Sequence, residues 1–167
     1  MVQERQAGQD YFKTLLQTVV GQAFSAAGYQ LQDAPLQWAG GKYRFSRALP
    51  DGCFGLIDFQ VLVYSDTMWS DRAQSRFNVQ LRRSRNRHGL VDSSAGQAAR
   101  GLSQLVVEDF GVAILPSADH WWAFHDTESL GAALAEAGHL VVGYGIPWLA
   151  GDLIPPAEKQ AATSLDK

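Results

Sequence analysis

The sequence predicts a single α+β domain, with a four- to five-stranded antiparallel sheet and an N-terminal and a C-terminal helix packed on one of its faces. Three observations predict it. Segments near both ends carry apolar residues at three- and four-residue spacing, the central segments alternate apolar and polar residues, and the turns between the strands are short. A chain of 167 residues fits one domain that buries roughly 70% of the surface its unfolded form exposes. The expected bounds are a flexible N-terminus over 1–9, the domain over 10–150, and a mobile tail over 151–167.

From Asp10 to Ala27 the residues Phe12, Leu15, Leu16, Val19, Ala23, Phe24 and Ala27 make one helical stripe, and Gly28 stands where a helix stops. "LQWAGGKYRF" reads as two strands around Gly40-Gly41, and "PDG" at 50–52 marks the next turn. "GLIDFQVLVY" (55–64) is the strongest strand signal. Ile57, Phe59, Val61 and Val63 share one face, and Asp58, Gln60 and Leu62 share the other. In "SRFNVQL" (75–81), Phe77, Val79 and Leu81 oppose Arg76, Asn78, Gln80 and Arg82, and Tyr43 and Phe45 alternate with Arg44 in the same way. The expectation is one apolar face under helices and one polar face in water. Position 83 would aim an arginine at the core, so this strand is expected to end near Arg82.

The stretch 92–104 is small and polar and reads as irregular. "QLVVEDFGVAIL" fits a strand or a short helix, and its periodicity does not decide between them. "HWWAF" reads as a strand. "HDTESLGAALAEAGHL" reads as a helix with Asp126 or Thr127 as cap, Glu128 in the first turn, and Leu130, Ala133, Leu134 and Ala137 buried. Pro147 is expected to end it, with Trp148 and Leu149 folding back as an apolar anchor.

In their order, "GLIDFQVLV", "RFNVQL", "LPSADHWWAF" and "GIPWL" resemble the uncharacterised bacterial family called domain of unknown function 4304. The residues that carry the resemblance are Ile57, Phe59 and Gln60; Phe77, Asn78 and Val79; Leu115, Pro116, Asp119, Trp121 and Trp122; and Ile146, Pro147, Trp148 and Leu149. The resemblance spans roughly residues 10 to 150. It implies the same fold and no activity, since none is established for that family.

Composition excludes several function classes. With Cys53 as the only cysteine, no internal disulfide and no cysteine-rich zinc site can form, and a reducing, cytoplasmic setting is expected. The polar start "MVQERQAGQD" does not read as a secretory signal. "LVVGYGIPWL" is too short to span a bilayer and is broken by Pro147. His120 and His125, five positions apart, face opposite sides of a strand or lie about 140° apart on a helix, so no metal site is expected there. Nothing around Cys53 resembles a nucleophile motif, and His139 reads as a surface or core residue. The glycines of "GYGIPWL" and "AGGKY" lack the spacing of a phosphate loop, so no cofactor is expected.

Charge is uneven. Between Arg72 and Arg100 seven arginines stand against Asp92 alone, giving +6. The remaining seven basic and sixteen acidic residues give −9, and the whole chain is −3. Arg82, Arg83, Arg85 and Arg87 read first as a solvated loop and second as a docking site for an acidic protein or a small anion. They read last as a nucleic-acid surface, because no aromatic residue interleaves with them. The second candidate site is the polar sheet face, where Arg44, Asp58, Gln60, Asn78, Gln80 and Arg82 converge if their strands are neighbours. Asp58 there is either an ion-pair partner of arginines or the base of an enzyme. The leading function is a non-catalytic cytoplasmic binding or interaction domain, whose partner is an unknown protein or a small anionic ligand. The alternatives are an enzyme built around Asp58 and a nucleic-acid binder built on the arginine run. An exposed apolar patch at Trp38, Trp69 or Trp148 would favour protein docking.

Overall fold

The computed structural model describes residues 2–63, 74–87 and 98–156, with side chains in the first helix from Tyr11 onward. Trp69, residues 92–97 and the tail from 157 lie outside the described residues. The order along the chain is α1 (Val2–Val19), α2 (Gly21–Ala26), β1 (Gln30–Leu31), α3 (Pro35–Ala39), β2 (Lys42–Ala48), β3 (Phe54–Leu62), β4 (Ser75–Ser84) and β5 (Ala98–Gly101). It continues with α4 (Leu102–Gln104), a π-helical turn (Leu105–Asp109), β6 (Trp122–Phe124), α5 (Thr127–Leu140), a second π-helical turn (Val141–Gly145) and α6 (Ile146–Ala150). The strands form one sheet in the order β1-β2-β3-β4-β5, with β6 also paired to β4, and every pairing is antiparallel. The α+β class, the antiparallel sheet and the helices on one face are as the sequence predicts. No helix among the described residues is long and apolar enough to cross a membrane.

Strand parity places the core. Tyr43, Phe45, Ile57, Phe59, Val61, Phe77, Val79 and Leu81 are all buried on one face. They meet Phe12, Leu16 and Val20 of the first helical segment, Phe24 of α2, and Leu130, Leu134 and Ala137 of α5 in a single cluster. Phe77 lies near its centre, stacked on Trp122 at 5.6 Å and edge-on to Phe12 at 5.6 Å. Such ring pairs add to the burial that makes this face drive folding.

Several boundaries differ from expectation, each for a local reason. The N-terminal stripe forms two helices, and α2 ends where Gly28 adopts φ 89°. There the Gly28 N–H returns to the Ser25 carbonyl and the Tyr29 N–H to that of Phe24, a Schellman closure that only a left-handed residue allows. The segment before Gly40 is helical rather than extended, because Pro35 occupies its first turn with a fixed φ and no N–H to leave unpaired. Residues 98–104 are a strand and a helical turn rather than irregular, since Ala98–Gly101 pairs with Gln80–Arg83. Pro147 does not end the last helix. The π-helical turn ahead of it breaks the regular hydrogen-bond ladder, and α6 restarts with Pro147 in its first turn.

Candidate functional site

The polar face is built by the even-numbered residues of β2, β3 and β4. Register sets Arg44 opposite Asp58, Asp58 opposite Gln80, Gln60 opposite Asn78, and Leu56 opposite Arg82. The structure thus brings all six predicted residues of this face together. It does not leave the face in water: Arg44 is 2% exposed and Asp58 6%, while Gln80 is exposed and Gln60, Asn78 and Arg82 are half-buried. The Arg44 guanidinium grips both Asp58 oxygens, Nε to Oδ1 at 2.6 Å and Nη2 to Oδ2 at 2.8 Å, and Lys42 Nζ lies 3.8 Å from Oδ2. A fork-on-carboxylate pair of this kind is among the strongest polar contacts a protein makes.

Chain crossings cover the face. Gln32, the residue after β1, donates through Nε2 to the Arg87 carbonyl at 3.2 Å. Since β2 and β3 lie between β1 and β4, the chain leaving β4 passes over both strands to reach it. At the other end of the sheet, Ala118–Trp121 lies beside Asn78 and Gln80 and encloses a pocket of about 140 Å3. Ser103 Oγ donates to the His120 carbonyl at 3.2 Å, and Arg76 stacks on Trp121 with 4.7 Å to the ring centre.

The arginine run does not form one patch. β4 continues through Ser84, so Arg82 and Arg83 point to opposite faces. The expected stop at Arg82 fails because Arg83 lies at the rim of the core face, where polar partners await it. Its Nη1 donates to the Leu149 carbonyl in α6 at 2.8 Å, and it forms an ion pair with Asp51. A cation is well placed at a helix C-terminus. Arg85 and Arg87 follow the strand and are exposed.

Arg87 lines a groove of about 590 Å3 at the β1–β2 edge, together with Gln30, Gln32, Asp33, Arg47, Ala48 and Phe54. Neither Arg47 nor Arg87 forms an ion pair among the described residues. Three other guanidinium groups are neutralised: Arg44 by Asp58, Arg83 by Asp51, and Arg100 by Asp109 and Glu108. Arg76 and Arg85 lie outside the groove and form no ion pair among the described residues. The Asp109 hydrogen bond holds Arg100 above its ordinary pKa. Next to the groove, burial pushes the Tyr29 hydroxyl up to about 12, against the opposing pull of Arg47 and Arg83.

Comparison of the chain with protein-family models, curated proteins and solved structures finds no match.

Sequence reasoning missed Arg47, Gln30 of β1 and Gln32 just after it. The available signal was the parity of Arg47, which shares the apolar face of Tyr43 and Phe45 at the strand's end, where its side chain packs against Gly28. Of the other chemistry-bearing residues, Cys53 is buried in the β2–β3 turn, with its N–H donating to Asp51 Oδ1 at 3.1 Å. His120 packs edge-on to Trp122 at 4.8 Å, and His125 lies 3.4 Å from Asp126. Among the described residues no group of three His, Cys, Asp or Glu is placed to hold a metal ion.

Proposed function

We propose that this protein is a non-catalytic binding domain that takes an anionic ligand in the groove at the β1–β2 edge. One observation carries the reading: two guanidinium groups, Arg47 and Arg87, line one groove without an ion pair among the described residues, while Arg44, Arg83 and Arg100 are each matched by acids. A groove of this size suits a small ligand or a short peptide segment. Asp58, the candidate base of the enzyme alternative, has both oxygens committed to Arg44 and lines none of the grooves described. The nucleic-acid alternative needs a continuous basic surface, which opposed side chains at 82 and 83 do not make. Single-cysteine usage supports a cytoplasmic setting, and the motifs around Ile57, Phe77, Trp121 and Ile146 support membership of the domain of unknown function 4304 family. That membership adds no chemistry to the proposal.

Titration with acetate and with inorganic phosphate at low ionic strength tests the proposal, because screening is weakest there. The expected result is a saturable rise in the thermal midpoint of the wild type that is absent from the Arg47→Ala/Arg87→Ala variant. Equal responses from both proteins would refute the groove as an anion site.

A further inference from the structure

The hydrogen-bond pattern of β2 narrows what the groove holds. The Leu49 N–H donates to the Cys53 carbonyl at 2.7 Å, and the Val61 N–H to the Gly41 carbonyl at 2.8 Å. Odd-numbered residues of this strand therefore turn their backbone polar groups toward β3, and even-numbered ones toward β1. The Gln32 N–H donating to the Arg44 carbonyl at 2.8 Å follows that alternation. Gln30 stands opposite Ser46, but no strand residue pairs with Ala48 among the described residues. The chain leaves α2 through the left-handed Gly28, which packs against the Arg47 side chain, and joins the sheet only at Gln30. Ala48 is exposed, and its outward N–H and carbonyl meet no backbone group among the described residues. The next even position is Pro50, which has no N–H to offer. The open edge thus presents one N–H and one carbonyl, flanked by Arg47 and Arg87. Phe54 is the cross-strand partner of Ala48, so both side chains share the polar face.

We propose that this notch captures the free C-terminal carboxylate of a partner peptide whose last residue is apolar; the inference rests on reading the groove as an anion site. The last residue stands opposite Ala48. Its N–H donates to the Ala48 carbonyl, and one carboxylate oxygen accepts the Ala48 N–H, the exchange that an antiparallel pair makes. The two guanidinium groups neutralise the carboxylate through charge-assisted hydrogen bonds. The terminal side chain lies on the polar face beside Ala48 and Phe54. Running in the direction of β1, the peptide must stop where Tyr29 and Gln30 occupy the next positions. A chain end satisfies that stop, whereas an internal acidic residue would need its chain to continue through them. Main-chain pairing with carboxylate capture is an established mode of peptide recognition.

The test uses isotope-labelled full-length protein and three probes. These are a pool of N-acetylated hexapeptides ending in Val or Leu as free acids, the same pool amidated, and sodium acetate. The expected result is that the free-acid pool shifts the Ala48 amide resonance and slows its exchange with solvent. Amidation, or Arg47→Ala/Arg87→Ala, then weakens binding by roughly tenfold or more, as loss of a charged hydrogen-bond partner does. If the amidated pool binds equally well, or if acetate binds as tightly as the free-acid pool, chain-end capture is overturned while the anion site stands. If neither pool nor acetate binds, both readings fall.

Discussion

The Tyr29 hydroxyl sits against the backbone of Gly55 on β3, where an added Cβ would collide with it, and it has no hydrogen-bond partner among the described residues. Burial raises its pKa from 10.0 to about 12. The folded protein therefore holds the phenol proton more tightly than the unfolded chain does. The resulting stabilisation is complete below pH 10 and is lost as pH rises through about 12; a two-unit shift corresponds to roughly 2–3 kcal/mol. In urea unfolding at pH 8 and pH 11, the wild type is expected to lose stability at the higher pH by an increment that Tyr29→Phe lacks. Parallel losses in the two proteins would show that Tyr29 does not titrate with folding. Gly55→Ala is expected to cost about 1–3 kcal/mol through overpacking. Part of that cost returns in the Tyr29→Phe background, because the colliding oxygen is gone.

At the scale of elements, α5 packs closely on the junction of α1 and α2, where Gly138 faces Val20. A Cβ on Gly138 would lie 2.6 Å from a Val20 methyl. Gly138→Ala is expected to destabilise by about 1–3 kcal/mol, and Val20→Ala to relieve the clash in the double variant, a coupling that a double-mutant cycle measures. The start of α5 was legible in the sequence to within one residue, Asp126 or Thr127, because a cap is local chemistry; the structure selects Asp126. Asp126 accepts from the Ser129 N–H at 2.7 Å, and Ser129 Oγ accepts from the Asp126 N–H at 3.1 Å. The Ser129 backbone and side-chain hydrogen bonds lower the Asp126 pKa. The capping contribution is therefore present above the ordinary carboxylate pKa and fades as pH falls through the lowered value. Asp126→Ala is expected to lower the melting temperature by a few degrees at pH 7, and by less in strong acid. The end of the helix was not legible, because a proline in the sequence does not reveal the π-helical turn that accommodates it.

At the scale of the whole molecule, the sheet carries two interiors, one apolar and one polar. Both sets of facing residues could be read from period-two alternation, including Arg44 with Asp58. What lies over the polar set could not be read, because residues 85–87 and 118–121 carry no periodicity. The first bend back over the sheet, while the second reach it from more than thirty positions beyond β4. An ion pair expected at a wet surface therefore stands in a buried one. Asp58→Ala is expected to cost about 3–5 kcal/mol by removing the carboxylate that grips the buried Arg44 guanidinium, whereas Arg44→Met/Asp58→Leu is expected to fold with much smaller loss. Equilibrium unfolding of the two variants decides it; equal losses would mean that the pair is needed as a pair. The candidate groove was only half legible, since Arg87 belongs to a visible run and Arg47 is isolated in sequence.

Gly28 gives the sheet an unfinished seam. A chain that already entered the sheet as strand at residue 28 would zip the seam shut with its own backbone, gaining two hydrogen bonds and becoming its own competitor. By delaying the entry of the chain into the sheet until Gln30, the left-handed glycine leaves that edge open for the chain end proposed above. Receptivity at this edge and completeness of the fold are therefore alternatives, and a single backbone angle selects between them.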